Sequence, residues 1–397
     1  MPEPDAYADL AEAGWRWVLD QVRWDDGPWI PESVPPESDG VPDDRDAMHS
    51  GVGGLAHVLA EIGLARPWTA EETTLADGIA SRVRRGLATT TAYSYFEGLV
   101  SDLGVLTALE APGADAVVAR LAELATSNGW PQAYLEPPLF TPNARINDAT
   151  LGTAGILLGA LWCRRQGVLA ATGLAEHAVD VLMAEAEPVE TGTNWRFVPI
   201  RFRENVEVDV PREMPNWSHG IAGIAAALAV AGADLGRPDL VAAARSGAEH
   251  LVTLGDTSDG GFVVPHFIPS IEDFDDATFT WCHGPTGTSL LFSALELAGV
   301  GDVFLDAWQR GGEDDDLAFA VRLADALVER AITDGPHAFW RFVEHRNEDP
   351  LLPPGVGWMQ GGAGIAAYLF RTARLLRDGR EAPAVARLDT WWGLPGQ

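Results

Sequence analysis

Apolar positions along this chain fall into two kinds of segment. One kind is apolar nearly all round, as in 156–162, 224–230, 290–297 and 365–370. A helix without a polar face is buried on every side. The other kind is amphipathic. Within 317–331, Val321, Leu323, Ala324, Leu327 and Val328 are set among Arg322, Asp325, Glu329 and Arg330, and 174–183 repeats the pattern. Buried helices alternating with half-exposed ones fit two concentric rings, inner helices packed on all sides and outer helices facing water. The pattern predicts an all-α chain forming one domain over 1–397.

A glycine motif punctuates this alternation. It reads Gly51-Val52-Gly53-Gly54, Ser101-Asp102-Leu103-Gly104, Gly152-Thr153-Ala154-Gly155, Gly220-Ile221-Ala222-Gly223, Gly284-Pro285-Thr286-Gly287 and Gly361-Gly362-Ala363-Gly364, with Ser101 taken for the first glycine of the second copy. Each copy opens an apolar run. The copies start at 51, 101, 152, 220, 284 and 361. That spacing suits a helical hairpin plus a loop, so six repeats are visible and a degenerate seventh is allowed. Glycines ahead of a helix permit a tight turn and close backbone approach. They are also expected to leave N–H groups bare at the helix start, facing the mouth of the ring. The stretches 195–203 and 261–266 read as short strands, 31–46 as a surface loop rich in Pro and Asp, and 311–316 as an acidic loop.

Composition narrows the function classes. The 397 residues carry 27 Lys+Arg against 58 Asp+Glu, a net charge of −31, and lysine is absent. A nucleic-acid partner would demand a basic footprint, so that class is disfavoured. Two cysteines, Cys163 and Cys282, make no disulfide scaffold. The first ten residues lack a signal-peptide pattern and no run reaches the length of a membrane span, so a cytoplasmic protein is expected.

Candidate chemistry lies just ahead of the motif glycines. Asp148 stands four residues before Gly152, His219 directly before Gly220, and Cys282-His283 directly before Gly284. Taken singly, an Asp or His ahead of a helix is a cap. Together on one rim they make a site, with Asn216, Trp281 and Trp358 as neighbouring substrate-contact candidates.

On these residues the chain resembles the lanthionine synthetase C-like family. The resemblance rests on the repeated glycine motifs, Asp148, Ser218-His219-Gly220-Ile221-Ala222-Gly223 and Trp281-Cys282-His283-Gly284. It implies an α/α toroid of six or seven helical hairpins. It implies lanthipeptide biosynthesis, in which a peptide cysteine thiolate adds to dehydroalanine or dehydrobutyrine and closes a thioether ring. It also implies that Asp148 and His219 handle protons and that Cys282 matches the first of three zinc ligands. The expected partner is a precursor peptide carrying dehydroamino acids and Cys, with dehydration done by separate kinase or lyase proteins.

The chain departs from that pattern ahead of its last motif. Met359-Gln360 stands where zinc-type members carry Cys-His, and no arginine occurs in 276–280, just upstream of Cys282. A thioether and an amide do not replace a thiolate and an imidazole for zinc. No metal or other cofactor is therefore expected. A site rebuilt from His219, Cys282 and His283 is the exception kept open, while Cys163 reads as packing. Without zinc, His219 or His283 serves as base, Asp148 orients an imidazole or helps protonate, and bare motif N–H groups stabilise the enolate oxygen. Two other readings stay open: a binding relative that holds the precursor peptide or a modifying partner without chemistry, and a sugar-processing enzyme on a similar toroid.

Overall fold

A computed structural model describes residues 3–36, 40–204, 212–258, 262–271, 278, 280–296, 302–341, 352–359 and 361–388. The helices in chain order are α1 (Pro4–Gln21), α2 (Leu55–Ala65), α3 (Ala70–Gly86), α4 (Leu99–Ala108), α5 (Ala114–Leu124), α6 (Thr153–Arg165) and α7 (Ala171–Ala184). There follow α8 (Ile221–Leu235), α9 (Pro238–Leu254), α10 (Pro285–Glu296), α11 (Asp302–Gly311), α12 (Asp314–Arg330) and α13 (Gly362–Asp378). Strands among the described residues form three small antiparallel hairpins: β1 (Arg23–Trp24) with β2 (Pro28–Trp29), β3 (Glu187–Val189) with β4 (Gly192–Asn194), and β5 (Ile332–Asp334) with β6 (His337–Phe339). The expected all-α class holds. Among the described residues no helix is long and apolar enough to cross a membrane.

The chain groups into two compact units. The first comprises 1–90, 96–114 and 301–389; the second comprises 91–95, 115–300 and 390–397. In the first unit α1 packs along α13, and α13 also meets α2 and α12. In the second, α6 pairs with α7 and α8 with α9, and α8 lies between α6 and α10. Residues 153–163 of α6 and 221–232 of α8 are buried without a break, as their apolar runs require. The amphipathic partner α7 buries Leu174, Ala175, Ala178, Val179, Val181 and Leu182. On α12 the buried face is Ala320, Val321 and Ala324, while Leu323 is 41% exposed and so leaves the expected apolar set.

The motif glycines owe their identity to close approach. Gly152, Gly220 and Gly361 are extended N-cap residues, with φ of −125°, −147° and −156°. The preceding loop folds back so that its carbonyls lie over the helix start. A Cβ on Gly51 would stand 2.5 Å from the Arg45 carbonyl oxygen, and one on Gly155 2.6 Å from that of Ala149, each six residues earlier.

The folded-back loop also settles the fate of the helix-start N–H groups. Val52 N–H donates to Arg45 O (2.7 Å), Thr153 to Ile146 (3.0 Å), Ala154 to Asn147 (3.0 Å), Gly155 to Asp148 (3.1 Å) and Gly362 to Gly355 (2.9 Å), all seven residues back. The expectation of bare N–H groups facing a cavity is overturned for these N–H groups, and with it their use as an oxyanion hole.

The second motif is Gly98-Leu99-Val100-Ser101: α4 starts at Leu99, and its N-cap Gly98 has φ −123° and ψ −155°, matching Gly152 at −125° and −160°. Ser101 thus replaces the fourth glycine, and its Oγ accepts the Met48 N–H at 2.8 Å. The acidic run 311–316 is mostly helix, because Asp314, Asp315 and Asp316 form the first turn of α12, where carboxylates complement the helix dipole. The stretch 195–203 forms no strand: Ile200–Phe202 is a 3₁₀ turn, Arg203 makes one isolated bridge to Phe140, and the strands lie just before it, in β3 and β4. Gly261 lies outside the described residues, and 262–266 contributes one isolated bridge, Val263 to Asp256.

Candidate functional site

The loops that precede the motifs are tied side to side by backbone hydrogen bonds. In the second unit Tyr95 N–H donates to Thr150 O (2.7 Å) and Ser218 N–H to Cys282 O (3.1 Å). In the first unit Met359 N–H donates to His49 O (3.1 Å) and His49 N–H to Phe96 O (3.2 Å). Residues directly before the motif glycines therefore share one edge within each unit, as their sequence positions imply.

Asp148 and His219 meet on that edge of the second unit. Asp148 is fully buried, and its Oδ2 lies 2.7 Å from His219 Nδ1. Its Oδ1 accepts the Leu151 N–H at 2.7 Å, which anchors one carboxylate oxygen. A carboxylate only accepts, so this contact is made through a proton on His219 Nδ1, which in the neutral imidazole leaves the lone pair on Nε2. The His219 side chain is 22% exposed, so solvent reaches the ring while its partner stays dry. The Asn216 Oδ1 accepts His219 N–H at 3.1 Å and fixes the turn. Asn216 is itself fully buried, a loop-shaping position that the sequence did not separate from substrate contact.

His283 lies beside this pair. Its ring centroid is 5.3 Å from that of His219 and 4.3 Å from that of His266. Burial, together with the neighbouring imidazoles of His266 and His219, pushes His283 down to about 4, so it is neutral at pH 7. Phe197 stands edge-on to His219 at 5.5 Å. Burial raises the Cys282 thiol above its ordinary value, with the Ser218 hydroxyl pulling the other way, so this thiol is protonated at neutral pH. Trp281 is half-buried and meets the fully buried Trp217 edge-on at 6.3 Å.

The structure thus brings Asp148, His219, His283, Cys282 and Trp281 into one region of the second unit. Trp358 belongs to the first unit, where it is 8% exposed and packs against His57 at 5.1 Å. Met359 belongs to the first unit too, and Gln360 lies outside the described residues. Two further residues join this cluster with no motif to mark them in the sequence. His266 reaches His283 from a loop with no motif of its own. Thr150 sits inside the Asp148-to-Gly152 string, but a lone threonine there carries no signal.

The residues do not fit a zinc ion. Zinc sites are built from thiolates, neutral imidazoles and carboxylates in sets of three or four. The motif positions supply one thiol, then a thioether and an amide. Among the described residues no group of three or more His, Cys, Asp and Glu is arranged to hold a metal ion.

The family model described as lanthionine synthetase C-like protein matches residues 42–306. No curated protein sequence matches the chain. Among solved structures, nisin cyclase is similar over 85% of this chain and 82% of its own, at 15% identity and a TM-score of 0.47. The unsaturated glucuronyl hydrolase from Bacillus sp. GL1 is similar over 100% of this chain and 99% of its own, at 14% identity and 0.47. A sugar epimerase from a ruminal bacterium is similar over 95% of this chain and 99% of its own, at 12% identity and 0.45.

Proposed function

Because the chain belongs to the lanthionine synthetase C-like family, we propose that it closes thioether rings in a dehydrated peptide without a zinc ion. The S–H bond of a peptide cysteine adds across the C=C of dehydroalanine or dehydrobutyrine. The S–Cβ bond forms, the thiol proton ends on Cα, and nothing leaves.

The observation that carries this reading is the buried Asp148 holding His219 Nδ1 at 2.7 Å. With its proton on Nδ1, His219 presents Nε2 as the base for the incoming thiol. The imidazolium so formed is stabilised by Asp148 and returns the proton to Cα of the enolate. His283, held neutral beside it, places no second positive charge against that imidazolium.

Loss of the metal is affordable on magnitude. A cysteine of pKa near 8.5 is about 3% thiolate at pH 7, so full ionisation by zinc would gain about 2 kcal/mol. Positioning of two reactants contributes roughly 7–11 kcal/mol in favourable cases. Cys282 lines the site in this scheme, and the attacking sulfur is the peptide's. Trp281 and Trp358 remain substrate-contact candidates. Dehydration is assigned to separate kinase or lyase proteins.

The test uses a synthetic peptide with one dehydroalanine and one cysteine. Free thiol should vanish faster with the protein than without it, and His219→Ala should remove the difference. Thiol loss at the uncatalysed rate would sink the proposal. The incomplete zinc-ligand set favours a second reading, a relative that holds the peptide or a modifying partner without chemistry. In that case Asp148→Ala and His219→Ala would leave peptide binding intact and there would be no cyclisation to lose.

A further inference from the structure

We infer that Thr150 is a positioning residue that keeps the His219 proton on Nδ1, an inference that rests on His219 being the base. Its Oγ1 lies 3.2 Å from Asp148 Oδ2, 3.1 Å from the Ser218 carbonyl oxygen and 3.4 Å from His219 Nδ1. One hydroxyl therefore touches the carboxylate, the imidazole and the backbone next to the imidazole. The residue is 8% exposed, so water does not readily take its place.

The hydroxyl is a fixed point. The Thr150 carbonyl is held by Tyr95 N–H at 2.7 Å, and Ser218 is held by its N–H to Cys282 O at 3.1 Å. The β-branched side chain has few χ1 choices. Thr150 thus bridges the loop before α6 to the loop before α8, the two loops that carry Asp148 and His219. Its single proton has two acceptors in reach: the bond to Ser218 O ties the two loops in register, and the bond to Asp148 Oδ2 orients the carboxylate within its own loop.

Thr150→Val keeps the shape and removes the bridge. A methyl then faces Oδ2 and the Ser218 carbonyl, and the carboxylate is left with the Leu151 N–H and the imidazole to orient it. Oδ2 turns away from Nδ1, and the bare-Nδ1 tautomer of His219 gains population. The expected change is about tenfold in the tautomer ratio, the scale of one hydrogen bond to a charged group.

The experiment is nitrogen-15 NMR of histidine-labelled protein, with the His219 signals assigned by their absence in His219→Gln. The chain without any substitution should show His219 bare at Nε2. Thr150→Val should show the tenfold redistribution, and Thr150→Ser, which keeps the hydroxyl, should restore the original spectrum. Thr150→Ala supplies the same reading if the valine variant does not fold. With the dehydroalanine peptide, Thr150→Val should lower kcat about tenfold at unchanged KM. Folded valine or alanine variants with unaltered tautomers overturn the role of Thr150, whatever their cyclisation rate. A His219 bare at Nδ1 in the unsubstituted chain overturns the base assignment itself. The two failures are told apart by which sample shows them.

Discussion

Replacing Asp148 by asparagine probes the dyad most sharply, because it changes charge and donor pattern at constant shape. Asp148 accepts three donors: Leu151 N–H at 2.7 Å, His219 Nδ1 at 2.7 Å and the Thr150 hydroxyl at 3.2 Å. Asparagine has one acceptor oxygen. The Leu151 N–H is fixed in the backbone, so the oxygen stays there and the NH2 group faces His219 Nδ1. Two donors do not share one bond, so the imidazole moves its proton to Nε2 and loses the lone pair that takes the thiol proton. General-base catalysis contributes about 10²–10⁴ in rate, so the barrier should rise by about 3–5 kcal/mol. The fold should change by only about 1–2 kcal/mol, since an N–H···N bond replaces the lost one. The assay pairs the initial rate of thiol loss with a thermal melt. A folded Asp148→Asn variant cyclising within about threefold of the unsubstituted rate would refute the tautomer reasoning.

Three further outcomes follow from the packing. Gly220→Ala drives a Cβ into the Met214 carbonyl and should cost more than about 3 kcal/mol, whereas Gly173→Ala, exposed on α7 with nothing within 4 Å, should gain up to about 1 kcal/mol; paired denaturant titrations check both. His57 is fully buried in α2, and burial with Arg387 nearby pushes it down to about 3 from 6.5. The unfolded chain therefore binds the extra proton first, so stability is full above pH 6.5 and declines by a few kcal/mol on the order of magnitude as pH falls toward 3; His57→Gln should flatten that part of the pH–stability curve. Arg374 and Glu61 form an ion pair of 2.7 Å with both side chains 2% exposed, so Arg374→Leu alone should cost about 3–5 kcal/mol and the added Glu61→Leu should recover much of it in a double-mutant cycle.

The helical architecture was legible because its signal is local. The apolar runs of α6 and α8 and the striped face of α7 carry their burial in their own sequence. Asp148 and His219 were legible because both sit at set offsets from motif glycines. The register of the second motif is masked in the sequence for an equally physical reason. Ser101 fills the fourth position, where its hydroxyl meets Met48 N–H, and Gly104 three residues on mimics the missing glycine; Gly104 instead faces Leu388. The capping of the helix-start N–H groups was hidden because the acceptors lie seven residues back in a loop that must first fold over. His266 was hidden because only the tertiary fold brings it to His283. Thr150 was hidden because a hydroxyl becomes informative only once Oδ2 and the Ser218 carbonyl are both within 3.2 Å.

The most direct test is the cyclisation rate of the purified protein on the dehydroalanine–cysteine peptide, measured before and after exhaustive chelation. A zinc-free base mechanism predicts the same accelerated rate in both samples. A rate that collapses on chelation and returns with added zinc would contradict it.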